Sequence, residues 1–288
     1  MLTNSFKTGI LIFGLVFLFT YIGGLLGNQQ GALIGLCTAA AMSFYSYWFS
    51  DKLVIKSYQG REVTAANNPR LYGIVQQLAD NAELPMPKIY IVPERQPNAF
   101  ATGRDPQHAA VACTAGLLEL MNDRELAGVL GHELGHVKHR DILVSTIAAT
   151  FAGAIANISR FFNTSSYSNS GYGTSRGGNK NTLLAVVLAP IAASIIQMSI
   201  SRKREFMADA AGAEFSGNPL YLRDALQKLE SYSKQIPFAN TSKPATAHMF
   251  IVNPFSAIPG LQNLFKTHPV TADRIRELEK MAQQQGQM

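Results

Sequence analysis

The stretch from residue 8 to residue 50 contains no charged side chain, and this restricts the possible folds of the chain more than any other feature. A bilayer-spanning helix needs about 20 apolar residues, and segments 9–26 and 32–49 are each long enough. The polar segment 27–31 is a natural turn, and the aromatic residues near the end of the second segment are typical of a membrane interface. A signal peptide is the alternative for the first segment, but no clear cleavage site precedes the second. The pattern predicts a transmembrane hairpin.

The composition agrees with a membrane protein. Charged residues make up 15% of the 288 residues, whereas soluble proteins contain about 25%. The formal net charge of +6 does not indicate nucleic-acid binding, because no basic run is interleaved with aromatic residues. A membrane surface explains this charge better. Cys37 and Cys113 offer no disulfide framework, which fits a reducing compartment.

After the hairpin the composition becomes that of a soluble domain. Asn68 and Pro69 begin a predicted helix whose apolar residues recur at helical spacing. Segments 88–92 and 109–113 are predicted strands that pair with each other. The segment 98–103 between them has the sequence Asn-Ala-Phe-Ala-Thr-Gly and, on its residues alone, reads as a connecting loop.

An H-E-x-x-H motif lies in the apolar segment 126–137, which is a predicted helix. Histidines four residues apart lie on one helix face, so the imidazoles of His132 and His136 can reach one metal ion. Imidazole favours Zn²⁺, and a catalytic zinc keeps one position open for water. Glu133 is rotated by roughly 100° from His132, which suits a general base beside the metal better than a third ligand.

Chance occurrence is the alternative for a five-residue motif, but the surrounding helix argues against it. Two unpaired histidines would be costly to bury in an apolar helix. Gly128, Gly131 and Gly135 recur on one face, and each costs about 1 kcal/mol relative to alanine. Another element must therefore pack very close to this backbone. Asn122 and Glu125 form a possible capping box at the start of the helix.

A metal with two histidine ligands needs a third ligand. Ile142 occupies the position at which the metzincin motif would have histidine, and His139 lies in a basic, solvated stretch. Glu205 is the better candidate, because Asp209 follows it by one helical turn and could accept the outer N–H of a ligand histidine. Taken alone, this segment would be an ordinary charged surface helix.

Two further uncharged segments, 142–159 and 181–201, flank the Ser-, Gly- and Asn-rich loop 162–180. We predict a second transmembrane hairpin, and the alternative is a buried helical hairpin within the soluble domain. The resulting organisation is a hairpin over 1–50, the first part of the catalytic domain over 51–140, the second hairpin over 141–201 and the rest of the catalytic domain over 202–288.

Basic residues near the apolar boundaries indicate the orientation. The side that carries the motifs has Lys52, Lys56, Lys138, Arg140 and the triplet Arg202-Lys203-Arg204. The other side has Arg160, Arg176 and Lys180. The positive-inside rule therefore predicts that both termini and the metal site face the cytoplasm.

The C-terminal part contains a predicted amphipathic helix over 221–231 and another over 271–282. His268 precedes the second helix, and a histidine can donate to the developing oxyanion in a zinc peptidase. On the residues alone, His268 reads as a loop histidine, and Asp273 and Arg274 as helix-surface charges.

Four segments together resemble the M48 family of integral-membrane zinc metallopeptidases over nearly the whole chain. They are His-Glu-Leu-Gly-His from His132, Arg-Glu-Phe-Met-Ala-Asp from Arg204, Thr-His-Pro from Thr267 with Arg274, and the segment 98–103. The resemblance implies a mainly α fold with a small β-sheet (α+β), in which a gluzincin-like zinc peptidase domain is combined with about four transmembrane helices.

The resemblance also implies the roles of individual residues. One Zn²⁺ per chain would be held by His132, His136 and Glu205, with Glu133 as general base and Asp209 orienting a ligand histidine. His268 would stabilise the tetrahedral intermediate, and Arg274 would position it or bind substrate. In gluzincin-like folds an edge strand above the zinc helix pairs with the substrate backbone, and the residues in that position are Asn98, Ala99, Phe100 and Ala101.

The implied function is cleavage of misfolded or damaged membrane proteins, during stress, by a protease of the bacterial inner membrane. A CAAX-type prenyl-protein protease shares the motifs, but it usually has more membrane spans than this chain provides. A membrane scaffold with structural zinc is the alternative from another class. Structural sites are normally closed by four protein ligands, and no cysteine lies near these motifs.

Overall fold

The computed structural model describes residues 4–143, 146–147, 202–235 and 271–287, and these residues are mainly helical with one small sheet. The predicted second hairpin therefore lies almost wholly outside the described residues, as do the loop 162–180 and His268. In chain order the elements are α1 (Asn4–Trp48), α2 (Ser50–Ser57), β1 (Arg61–Val63), α3 (Pro69–Asn81), β2 (Lys88–Val92), β3 (Ala99–Gly103), β4 (Ala109–Thr114), α4 (Ala115–Leu120), α5 (Asp123–Lys138), α6 (Arg202–Ser216), α7 (Pro219–Gln235) and α8 (Thr271–Gln284).

α1 is folded back on itself at the predicted turn. Gly27 and Asn28 have non-helical backbone angles, and Asn28 has a φ of 52°. A Cβ atom added to Gly23 would lie 2.1 Å from the carbonyl oxygen of Gly31. Residues eight apart in a straight helix are about 12 Å apart along its axis, so the two arms of α1 must pack against each other. The predicted hairpin turn is confirmed.

The α1 hairpin carries most of the exposed apolar surface. All exposed large hydrophobic side chains among the described residues lie between Ile10 and Phe49, apart from Met86 and Met207. Within the described part of the chain, no single helix is both long and apolar enough to cross a bilayer. The segments Gly27–Trp48 and Asp51–Ser57, bent by 87° relative to each other, satisfy that requirement together by length and composition.

The sheet has the strand order β1-β2-β4-β3. The predicted pair β2 and β4 is confirmed and runs parallel, whereas β1 and β3 join the sheet antiparallel to their neighbours. Segment 98–103 contains β3 at the edge of the sheet, as the resemblance implied, and the alternative of a plain connecting loop is wrong. Phe100 packs against Tyr58, the residue that follows α2, with ring centroids 5.2 Å apart.

The core lies between the sheet and the packed helices α3, α5, α6, α7 and α8. α3 begins where predicted, because the Asn68 side chain accepts a hydrogen bond from the Leu71 N–H and Pro69 occupies the first turn. The predicted capping box also starts α5: Asn122 accepts from the Glu125 N–H at 3.0 Å, and Glu125 accepts from the Asn122 N–H at 2.9 Å.

α6 and α7 pack closely against the glycine face of α5, where a close neighbour was predicted. A Cβ atom on Gly128 would lie 2.4 Å from the backbone nitrogen of Leu222 in α7. A Cβ atom on Gly135 would lie 3.0 Å from the Cα atom of Ala208 in α6. Backbone therefore meets backbone along this face, and α6 is brought close to the motif histidines.

The substitution Gly128→Ala is expected to destabilise the fold by about 1–3 kcal/mol, because overpacking against the α7 backbone outweighs the helix propensity of alanine. Gly73 of α3 is the matched control, since a Cβ atom there meets nothing within 4 Å. Gly73→Ala is expected to stabilise by up to about 1 kcal/mol. Urea unfolding in detergent measures both free energies. If both substitutions changed the free energy of unfolding in the same direction, the close packing of α5 on α7 would be contradicted.

Candidate metal centre

Three side chains from two helices converge at one point. α5 presents His132 and His136, and Glu205 comes from the first turn of α6. The Nε2 atoms of both histidines lie 3.7 Å from Glu205 carboxylate oxygens, one histidine to each oxygen. One ligand atom from each residue lies within 4.8 Å of the other two. The structure therefore brings together the three predicted ligands.

The donor set fits a zinc ion. Zinc prefers imidazole nitrogen and carboxylate oxygen at about 2.0–2.2 Å, so two ligand atoms of a tetrahedral site are separated by roughly 3.4 Å. The observed separations of 3.7 Å are close to that value. All three residues are largely withdrawn from water, which is typical of a ligand cluster and not of independent surface charges.

The orientation of His132 is fixed from behind by Asp209. The Asp209 Oδ1 atom lies 2.8 Å from Nδ1 of His132, one helical turn beyond Glu205. When His132 donates its Nδ1–H to this carboxylate, the Nε2 lone pair is left pointing toward Glu205. The predicted contact of Asp209 with a ligand histidine is therefore present.

Arg274 contacts both Asp209 and His132. Its guanidinium donates two hydrogen bonds to Asp209, of 2.6 and 2.8 Å, and its side chain is 1% exposed. Its Nη2 atom also lies 3.3 Å from Nδ1 of His132. Because both of these nitrogens are donors when His132 bonds Asp209, that distance is a close contact and not a hydrogen bond. The interpretation of Arg274 as a surface charge is wrong.

The charges of this cluster leave His132 neutral. Burial and the nearby charge of Arg274 lower the pKa of His132 to about 4, although the bond to Asp209 opposes the shift. Burial alone would raise the pKa of the Asp209 carboxyl, but Arg274 lowers it to about 2. The carboxylate in turn raises the pKa of Arg274 despite burial. At neutral pH the cluster is an ion pair beside an uncharged imidazole, which is the form that binds a metal.

His136 has the opposite electrostatic environment. Burial disfavours its charged form, but the nearby Asp141 carboxylate and the negative charges of two glutamates outweigh this and raise the pKa to about 9. These glutamates are Glu205 and Glu133. Carboxylates surround this imidazole on several sides, so the position stabilises a positive charge. A metal cation at the three ligands would meet that requirement.

Asp141 was not predicted from the sequence. It is 3% exposed, its Oδ2 atom lies 3.5 Å from Nδ1 of His136, and its Oδ1 atom lies 3.4 Å from Nη1 of Arg204. Arg140 adopts a left-handed backbone with φ of 57°, and the Asp141 N–H donates to the carbonyl of His136. This is a Schellman ending of α5 without its usual glycine. The reversal brings Asp141 back beneath His136.

Glu133 is placed beside the ligands and bonded to the sheet. It is 6% exposed, and its Oε2 atom accepts a hydrogen bond of 2.9 Å from the Ala101 N–H of β3. The backbone of an edge strand therefore orients the carboxylate that was predicted to be the base. This contact links the motif helix to the segment that was predicted to bind substrate.

The four predicted substrate-binding residues have different environments. The Asn98 carbonyl accepts from the Thr114 N–H, so its backbone faces β4. Strand alternation directs the backbone groups of Phe100 toward β4 as well, and those of Ala99 and Ala101 toward the free edge. No strand among the described residues pairs with this edge. Ala99 and Ala101 therefore direct their backbone groups toward this edge, but both residues are buried, and the Ala101 N–H is already bonded to Glu133.

Known proteins resemble this chain in sequence over nearly its whole length. Residues 65–282 match the sequence profile of peptidase family M48. A protein described as a protease HtpX homolog from Campylobacter curvus is 52% identical over 280 residues, which cover 97% of this chain and 98% of that protein. A protein of the same description from Methylibium petroleiphilum is 51% identical and covers 98% of this chain and 99% of its own length.

Among solved structures, Ste24p from S. mikatae matches 96% of this chain at 18% sequence identity, with a TM-score of 0.49. The match extends over 64% of the length of Ste24p.

Proposed function

The chain belongs to peptidase family M48, and on that premise we propose that it is a zinc-dependent endopeptidase of a bacterial inner membrane. The observation that carries the proposal is the convergence of His132, His136 and Glu205 beside Glu133, which is itself bonded to an edge strand. One Zn²⁺ per chain would be held by the three ligands.

The chemistry requires a nucleophile, a base and a place for the peptide. Zinc, when bound, supplies a Lewis acid for the carbonyl and a water of lowered pKa. Glu133 takes the proton of the attacking water and returns it to the leaving amine, as general base and then general acid. The Ala101 N–H holds the Glu133 carboxylate in one orientation, so little reorganisation is needed during the reaction.

Ala99 and the carbonyl of Ala101 would align the substrate, since the Ala101 N–H is already bonded to Glu133. An extended peptide that pairs with the free edge of β3 lies alongside the strand whose backbone holds Glu133. Pairing through the main chain imposes no side-chain requirement, which suits an enzyme that cuts many unfolded polypeptides. We propose misfolded or damaged membrane proteins as the substrate class, during stress-related quality control.

Three further residues complete the proposed site. Asp209 orients His132, and Arg274 keeps Asp209 ionised. His268 would donate to the developing oxyanion. Its assignment is supported by its position six residues before Arg274, whose guanidinium reaches to 3.3 Å from His132.

The proposed placement in the membrane rests on the α1 hairpin. Side chains such as Phe13, Phe17 and Leu33 are 61–74% exposed, which is unfavourable in water and favourable in lipid. We propose a second hairpin over 141–201, so that both termini and the metal centre face the cytoplasm, in agreement with the distribution of basic residues. A CAAX-type protease has no specific observation in its favour.

Zinc reconstitution tests the proposed ligands. The protein would be purified in detergent with a chelator, supplied with Zn²⁺, and assayed for bound zinc and for cleavage of an unfolded polypeptide. Glu205→Ala is expected to lose most of its zinc and its activity, because two imidazoles alone leave the site incomplete. Glu214→Ala, an exposed position of the same helix, is expected to behave as wild type.

The opposite result would identify a different site. If Glu205→Ala and Glu214→Ala both retain one zinc per chain, Glu205 is not the third ligand. If the wild-type protein binds zinc but does not cleave the polypeptide, the protein is a membrane scaffold with structural zinc and not a peptidase.

A further inference from the structure

A cavity of about 670 Å³ lies where the end of α1 meets the peptidase domain, and we call it the interfacial cavity. Its wall is formed by the last residues of α1, the start of α2, the start of β2 and the connection between β3 and β4. The volume is within the range of about 300–1,000 Å³ that is typical of small-molecule sites. The metal ligands do not contribute to its wall.

One side of the interfacial cavity is aromatic and apolar. Phe44, Trp48, Phe49 and Met86 line it, and each is at least 37% exposed. These residues include the end of the long apolar segment, where tryptophan and phenylalanine would meet the headgroup layer. The wall can therefore contact the glycerol backbone and the upper part of a lipid chain.

The other side is cationic. Lys52, Lys88 and Arg104 line the cavity, and Asp51 is the acidic residue of its wall. Arg104 donates to the Trp48 carbonyl at 3.2 Å, and its guanidinium lies 4.8 Å from the Trp48 ring. The Lys52 ammonium lies 5.7 Å from the Phe49 ring. Cationic and aromatic groups are thus in direct contact on this wall.

The two lysines are available to a ligand. Within the described residues, neither Lys52 nor Lys88 forms an ion pair, whereas Arg104 lies 3.5 Å from an oxygen of Asp105. His108 is also held by Asp105, at 2.7 Å. The positive charge of the cavity is therefore only partly balanced by the protein, and an anion would balance the remainder.

We propose that the interfacial cavity binds the headgroup of an anionic phospholipid, with the phosphate near Lys52 and Lys88 and the glycerol against Trp48. The proposal rests on the membrane placement of α1 given above. A quaternary ammonium headgroup is disfavoured because three cations line the same cavity. Basic pockets beside membrane segments on the cytoplasmic side are the sites at which anionic headgroups bind.

Trp48 makes a direct test possible, because it is the only tryptophan in the chain. The full chain would be reconstituted into vesicles of phosphatidylcholine and phosphatidylglycerol in which one or the other lipid carries brominated acyl chains. Bromine quenches tryptophan fluorescence only at short range, so the quenching gives the relative affinity of the two lipids at Trp48. We expect a preference for phosphatidylglycerol of roughly fivefold or more.

A pair of double variants makes the test specific. Lys52→Gln with Lys88→Gln is expected to reduce the preference to about one, while Trp48 and its contact with Arg104 stay intact. Lys56→Gln with Arg61→Gln removes the same charge from exposed positions that do not line the cavity. That control is expected to keep most of the wild-type preference.

Each alternative outcome has a distinct meaning. Equal quenching by both brominated lipids would overturn the headgroup site and leave the membrane placement intact. Absence of quenching by either lipid would contradict the membrane placement itself. A change in Trp48 emission on adding glycerol 3-phosphate to phosphatidylcholine vesicles, without a lipid preference, would assign the cavity to a soluble phosphate instead.

Discussion

Replacing Glu133 with glutamine is expected to lower the rate of polypeptide cleavage by a factor on the order of 10²–10⁴, with bound zinc unchanged. Glutamine has nearly the same shape, and its amide oxygen can still accept the Ala101 N–H that holds Glu133 in the native protein. The substitution therefore removes the base and retains its position. Cleavage of an unfolded polypeptide and metal analysis of the same samples measure both effects.

Glu125→Gln is the matched control for this prediction. Glu125 lies on the same helix and is also buried, but it bonds the start of α5 and Lys228, away from the ligands. We expect Glu125→Gln to affect the free energy of unfolding more than cleavage per folded molecule. Wild-type activity in Glu133→Gln would rule out Glu133 as the base, and loss of zinc from it would show that Glu133 supports the metal.

Replacing Arg274 with alanine is expected to destabilise the protein by about 3–5 kcal/mol, because the Asp209 carboxylate would remain buried without its cation. Arg274 donates two hydrogen bonds to this carboxylate, and its charge contributes most to keeping it ionised. The measurement is urea unfolding in detergent with a chelator present, so that metal binding does not contribute to the free energy.

Arg276 provides the control for Arg274 from the same helix. Its side chain is 69% exposed and pairs with Asp273 at the surface. Arg276→Ala is therefore expected to change the free energy of unfolding by no more than about 0.5 kcal/mol. Asp209→Asn should lower the free energy of unfolding less in the Arg274→Ala variant than in the wild type, because the two residues act as a pair. Equal unfolding midpoints for Arg274→Ala and Arg276→Ala would contradict the buried ion pair.

The parts of the centre that local spacing determines could be predicted from the sequence. Helical geometry alone puts His132 and His136 on one face, and the same geometry puts Asp209 one turn from Glu205. The glycines of α5 likewise predicted a close neighbour, which the structure identifies as α6 and α7. These inferences need only the period of a helix and the size of a side chain.

The remaining contacts depend on tertiary structure and have no local pattern. Arg274 looks like Arg276 in sequence, and only the packing of α8 decides which of the two is buried. Asp141 faces His136 because Arg140 adopts a left-handed backbone conformation. Glycine or asparagine usually marks such a position in a sequence, and arginine does not. The bond from Ala101 to Glu133 joins residues 32 positions apart across the sheet edge.

The separation of Asp209 and Arg274 by 65 positions in the sequence has a consequence for how the centre forms. The ribosome synthesises α5 and α6, which carry the metal ligands, before it synthesises α8. In a nascent chain the Asp209 carboxylate is therefore present before Arg274 can neutralise its charge. A protein released early, or clipped ahead of α8, has the same defect. The charge balance at Asp209 is therefore established only after α8 has been synthesised and has packed against α6.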